Sequence, residues 1–180
     1  MTEAVGAPKY STGAIAIHWI AAICIFGLVP AGFLISRLDE GPLQETVSAT
    51  HQSIGLLVLF LTLLRLALRV AGRMPPPYEA LTPFERVASR VTHFSLYVLL
   101  IVSPVVGWLG VNAYGEDVSF FGLFKLPTLI SKNEDFSDEI FAVHLACGIL
   151  IILAVVAHVV AAFVHNVRDD GVMERMLPDL

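Results

Sequence analysis

Four long apolar runs, separated by shorter polar stretches, set the pattern of this chain. The first covers Gly13 to Ile35. The second starts near His51 and passes through Ile54 and Leu64 to Val70, with Arg65 and Arg69 interrupting its end. The third follows His93 to Val111, and the fourth covers Ile140 to His165. A helix needs about 20 apolar residues to cross the hydrocarbon core of a bilayer. The pattern therefore predicts an all-α integral membrane protein, a four-transmembrane-helix bundle with helices over approximately 13–35, 51–70, 83–111 and 140–165. The first run exceeds the 7–15 apolar residues typical of a cleaved signal peptide, so it counts as the first helix. Arg65 and Arg69 fit the end of the second span because long arginine side chains reach back to the interface.

The polar stretches carry their own signals. Pro75-Pro76-Pro77 ends the second helix and keeps the chain extended. Thr82-Pro83-Phe84-Glu85 reads as a helix start, with threonine as N-cap, proline at the first position and glutamate reaching back. Pro104 and Gly107 should kink or thin the third helix. The longest loop, Asn112 to Asp138, holds Phe120-Phe121-Gly122-Leu123-Phe124, which reads either as interfacial packing or as the wall of a quinone pocket. Ser131-Lys132-Asn133-Glu134 fits the cap of a short helix. The tail, Asn166 to Leu180, shows no pattern.

Composition agrees with the membrane reading. Of 180 residues, 56% are hydrophobic and 15% charged, where soluble domains carry about 25% charged residues. The length suits a single domain over residues 1–180. A net charge of −5 argues against a nucleic-acid partner. Cys24 and Cys147 both lie in apolar runs, and no C-x-x-C-H is present, so neither a disulfide nor covalent haem attachment is expected. Lys9, Arg65, Arg69, Arg73, Arg86, Arg90, Arg168 and Arg175 fall on one side of the predicted topology, against Arg37, Lys125 and Lys132 on the other. That bias puts both termini in the cytoplasm and the first and third loops outside. The chain is then expected to cross the membrane several times.

Histidines supply the candidate chemistry. His144 and His158 are fourteen residues apart in a run otherwise apolar. On a helix that is about four turns and roughly 21 Å of rise, with both imidazoles on one stripe. The same topology brings His51 to the outer level with His144, and His18 to the inner level with His158. His93, three residues after Arg90, and His165, before the charged tail, read as shallower. Gly55 and Gly148 each follow a histidine by four residues, on the same face, and leave room for a flat macrocycle. Two haems, one near each membrane surface, follow as the hypothesis, with axial pairs His51–His144 and His18–His158. Filling both axial positions suits electron transfer rather than oxygen binding. Arg65, on the His51 face at the inner level, suits the inner haem's propionates; its plainer reading is an interfacial anchor. A lone histidine in a membrane helix also has a plain reading, as a packed polar residue or a cavity liner. Trp19, Trp108 and Tyr97 read as belt or packing residues. A transporter with a histidine relay is the weakest alternative, because the helix cores hold no Asp or Glu.

With these residues placed, the chain resembles the prokaryotic cytochrome b561 family over roughly Lys9 to His165. The resemblance rests on Lys9-Tyr10-Ser11 before His18-Trp19, and on His51 with Gly55, Arg65 and Arg69. It continues through the proline run, His93 with Tyr97, Pro104 and Gly107, then Phe121-Gly122 and Leu126-Pro127, to His144, Gly148 and His158. It implies a four-helix bundle with two haem b groups on His18, His158, His51 and His144. It also implies oxidation of superoxide at the periplasmic face and reduction of ubiquinone. The alternative is a cytochrome b subunit, associated with a respiratory complex, that relays electrons between a partner dehydrogenase or oxidase and the quinone pool. Superoxide is an anion that a basic outer surface would attract, whereas the outer loops are acidic overall. Lys125 is the candidate attractor.

Overall fold

The computed structural model describes residues 9–72, 75 and 81–178. Four helices make its framework: α1 (Thr12–Ile35), α2 (Pro42–Val70), α3 (Pro83–Tyr114) and α4 (Glu134–Arg168). All four are long and apolar enough to cross a membrane. The connection from α3 to α4 contains an antiparallel hairpin, β1 (Ser119–Phe120) and β2 (Phe124–Lys125). A short 3-10 turn, Glu174–Met176, lies in the tail.

Local sequence explains the helix starts. The Ser11 hydroxyl accepts from the Ala14 amide to cap α1. At α3 the expected capping box forms in full. Thr82 Oγ1 accepts from the Glu85 amide, the Glu85 carboxylate accepts from the Thr82 amide at 2.9 Å, and Pro83 occupies the first turn. Asn133 caps α4 itself through the Phe136 amide, so the cap expected for a separate short helix opens the fourth span directly. α3 remains one helix across Pro104. Of the proline run, Pro76 and Pro77 lie outside the described residues.

Two helices continue beyond their apolar runs. α2 starts at Pro42 although its run starts near His51, and α4 starts at Glu134 although its run starts near Ile140. Hydropathy reports contact with lipid, whereas helicity continues through the polar turns that follow.

Among the described residues, α1 packs on α2, α2 on α3, and α4 on α3, whereas α4 scarcely approaches α1 or α2. The buried interior is thin, with Ala14, Ile15, Val58, Leu61, Val111 and Ile151 among its apolar members. Large side chains such as Ile23, Phe26, Phe60 and Phe163 point outward. For a membrane bundle this is expected, because lipid tails solvate them as well as a protein core does.

The tail has structure that its sequence did not announce. The Tyr10 amide donates to the Arg175 carbonyl at 3.2 Å. The Trp19 indole, expected to be a belt or packing residue, donates to the Met176 carbonyl at 2.8 Å. Arg175 is 6% exposed, with its guanidinium over the Tyr10 ring. The tail thus folds under the beginning of α1, at the end of the bundle that holds His18.

Candidate functional site

At the other end, His51 on α2 faces His144 on α4, with ring centroids 6.1 Å apart and planes at 79°. His144 Nδ1 donates to the Ser103 carbonyl at 2.9 Å, which leaves its Nε2 with a free lone pair. This is the usual second contact of a metal-bound imidazole, fixing tautomer and ring direction. His51 Nδ1 is buried without a hydrogen-bond partner. Both rings rest on bare backbone. A Cβ built at Gly32 of α1 would lie 3.3 Å from His51 Cε1, and one at Gly107 of α3 would lie 3.0 Å from His144 Cε1. Sequence reading missed Gly32 and Ser103 and gave Gly107 a different task. A glycine in an apolar helix was the available signal, but its target lies on another helix.

At the tail end, His18 on α1 faces His158 on α4 at 6.0 Å and 70°. His93 on α3 is there too, with its ring 5.2 Å from that of His158. This corrects the shallower depth expected for His93. α3 begins at Pro83, so His93 lies ten residues into it, about 15 Å along the axis, and Arg90 does not mark the helix boundary. His93 Nδ1 donates to the Ser89 carbonyl at 2.6 Å. A groove of about 290 Å³ runs beside it, lined by apolar residues of α2 and α3 together with Arg69, Arg90 and Tyr97. Arg65 is at this end: its Nη1 donates to the Ala14 carbonyl at 3.1 Å, and its guanidinium lies over the Tyr10 ring. His165 is occupied elsewhere, on Asp170 at 2.6 Å.

These distances fit a haem better than a bare ion. A metal–nitrogen bond of about 2 Å plus the ring radius would put each imidazole centroid about 3 Å from a metal, so two rings on opposite sides of one would stand about 6 Å apart. Both pairs meet that spacing, and His93–His158 is too close for it. Among the described residues no three or more His, Cys, Asp or Glu side chains converge as a protein-built metal cage would need. A macrocycle also needs width. A Cβ at Gly55 or Gly148, one turn from His51 and His144, would meet nothing within 4 Å. Each pair bridges helices that stand apart, α2 with α4 and α1 with α4. Packed helices are usually 8–10 Å apart.

Lys125 is engaged. Its Nζ donates to Asp117 at 2.8 Å. That hydrogen bond and charge raise the lysine above its ordinary range and hold the aspartate below its own. Lys132 is paired in the same way with Glu134 at 2.6 Å.

Comparison with known proteins gives a consistent result. The sequence model of a family described as prokaryotic cytochrome b561 matches residues 9–179. Cytochrome b561 homolog 2 of Escherichia coli (strain K12) is 29% identical over 172 residues, covering 94% of this chain and 91% of that protein. A protein of Yersinia pestis named probable superoxide oxidase CybB is 26% identical over 171 residues, covering 94% of this chain and 96% of its own.

Proposed function

This chain belongs to the prokaryotic cytochrome b561 family, and on that premise we propose that it is a di-haem electron carrier that oxidises superoxide outside and reduces ubiquinone inside. Membership itself makes it a b-type haem electron-transfer protein of the bacterial inner membrane, crossing it with four helices. The two-haem part of this reading rests chiefly on one observation. Two imidazole pairs, at 6.1 and 6.0 Å, bridge helices that otherwise hardly touch.

In this reading His51 and His144 would hold the iron of one haem, and His18 and His158 that of the other. Each b-type haem held there would supply a one-electron carrier. The chain's part is to hold, orient and shield. Ser103 fixes the His144 ring. Gly55 and Gly148 leave width, and Arg65 offers a cation to propionates at the His18 level. The Lys/Arg bias puts the His51 end outside. Overall, two superoxide ions lose one electron each and leave as dioxygen, while one quinone gains two electrons and two protons. His93 suits the inner half of that balance. It borders an apolar groove open to an amphipathic molecule, and its Nε2 can hold or pass a proton. The superoxide assignment draws support from the name of the Yersinia pestis relative.

A second reading replaces superoxide with a protein donor. One observation favours it: both outer lysines are tied to carboxylates, which weakens the attraction of a small anion. Stopped-flow haem reduction separates the two. Rapid reduction by a superoxide pulse supports the first reading, and its absence, with reduction by a periplasmic redox protein, supports the second. The ligand assignment has its own test. The purified protein should contain about two haems per chain, as two bis-histidine sites require, and His51→Ala and His158→Ala should each lose one. A ratio of one ends the two-site reading.

A further inference from the structure

Apart from Lys125, the β1–β2 hairpin has no task in the redox reading, yet it is built at some cost. Its turn places Phe121 at φ 48° and Gly122 at φ 71°, and the Leu123 amide donates to the Phe120 carbonyl at 2.9 Å. Left-handed backbone suits the glycine but strains a bulky aromatic, and asparagine or glycine would sit at Phe121 with less strain. Strain kept at one residue points to something the side chain does. The turn presents apolar side chains outward: Phe121 is 51%, Leu123 76% and Phe124 58% exposed.

Its position tells what those side chains meet. Ser53 of α2 is buried and fastens the hairpin. Its hydroxyl accepts from the Phe121 amide at 2.9 Å and lies 3.2 Å from the Ser119 carbonyl. Ser53 also marks a change along α2. Before it come Glu45, Thr46, Ser48, Thr50 and Gln52, and after it the apolar run from Ile54. That boundary is where a membrane-crossing helix passes from water into lipid. The base of the hairpin carries the Asp117–Lys125 ion pair, which belongs in water. One end is therefore polar, the other apolar, and the whole is fixed at the interface.

We propose that Phe121, Leu123 and Phe124 insert into the lipid leaflet at the His51 end, with Ser53 setting the depth of the hairpin beside the His51–His144 pair. Aromatic and aliphatic groups at this level partition into the boundary between headgroups and acyl chains. The inference needs only that α2 crosses the membrane, so it holds whichever electron donor the protein takes.

Nitroxide labels on single cysteines in the full-length protein test it, with Cys24 and Cys147 replaced by alanine and the protein in phosphatidylcholine–phosphatidylglycerol liposomes. A label at Leu123→Cys should collide with dissolved oxygen more than with a water-soluble nickel chelate. Its ratio of the two should exceed that of a label at Asp117→Cys several-fold. Adding Ser53→Ala should bring the Leu123 ratio down toward the Asp117 value. Phe121→Asn should relax the turn, so thermal stability in detergent is kept or raised while the Leu123 label moves toward water. Equal nickel access at Leu123 and Asp117 would overturn the proposal. A Leu123 label shielded from both reagents would also overturn it, by putting protein rather than lipid on this surface.

Discussion

At the scale of single residues, the glycines divide into those that hold the histidines and those that leave room beside them. Gly107 and Gly32 belong to the first kind, Gly55 and Gly148 to the second. Alanine substitution tells the two apart. Alanine is about 1 kcal/mol better than glycine inside a helix, and at Gly55 or Gly148 the added methyl meets no protein atom within 4 Å. If these positions served the protein fold alone, both variants would be as stable as the parent or more so, with full haem content. The haem reading predicts normal expression with weakened haem retention in the His51–His144 site, seen as a lower haem-to-protein ratio and a loss from one component of the redox titration. Gly107→Ala should perturb the same component by a different route, pushing a ring held 2.9 Å from the Ser103 carbonyl. Gly110→Ala is the control: its methyl would lie 2.8 Å from Phe141, and overpacking of this kind costs about 1–3 kcal/mol while both haem signals remain. That His51 would face His144, and His18 face His158, was legible because depth and period are properties of one helix at a time. Gly32, Ser103 and Gly107 were not, because their partners sit on neighbouring helices whose rotation no single run encodes.

At the scale of elements, the strongest sequence signals were chemical rather than hydropathic. Thr82-Pro83-Phe84-Glu85 gave the start of α3 to the residue because both halves of its hydrogen-bonded box are written in the sequence. Hydropathy placed all four spans and missed the polar turns of α2 and α4, where the helix leaves lipid without ending. It also gave no sign of the tail, whose contacts are to backbone carbonyls and to one aromatic ring. That tail should matter for stability. Trp19→Phe keeps the ring and removes the 2.8 Å hydrogen bond to Met176, a loss of about 1 kcal/mol. Thr82→Ala should cost a similar amount, about 1 kcal/mol, through the lost cap. The two sites lie on different elements with no shared partner, so their effects should add. Thermal unfolding in detergent, followed by circular dichroism, checks this. A double variant that falls well short of the sum would mean that the tail and the start of α3 unfold as one unit.

For the whole molecule, the question is which end faces outward, because the direction of electron flow depends on it. Folding alone cannot decide: a bundle of four apolar helices is equally at home in lipid either way up. The charge bias can, since lysine and arginine near the ends of spans resist translocation, and among the described residues seven of the ten lie toward the His18 end. Single cysteines in a Cys24→Ser, Cys147→Ser background put this to the test. Glu116 follows α3 at the His51 end, and Ala71 follows α2 at the His18 end; both are exposed. A membrane-impermeant maleimide added to intact cells should label Glu116→Cys, and Ala71→Cys should react once the inner membrane is opened. The reverse pattern would place His18, His93 and the Arg65 cluster outside. A superoxide ion arriving from the periplasm would then meet the arginine-rich end, and quinone reduction would have to be sought beside His51.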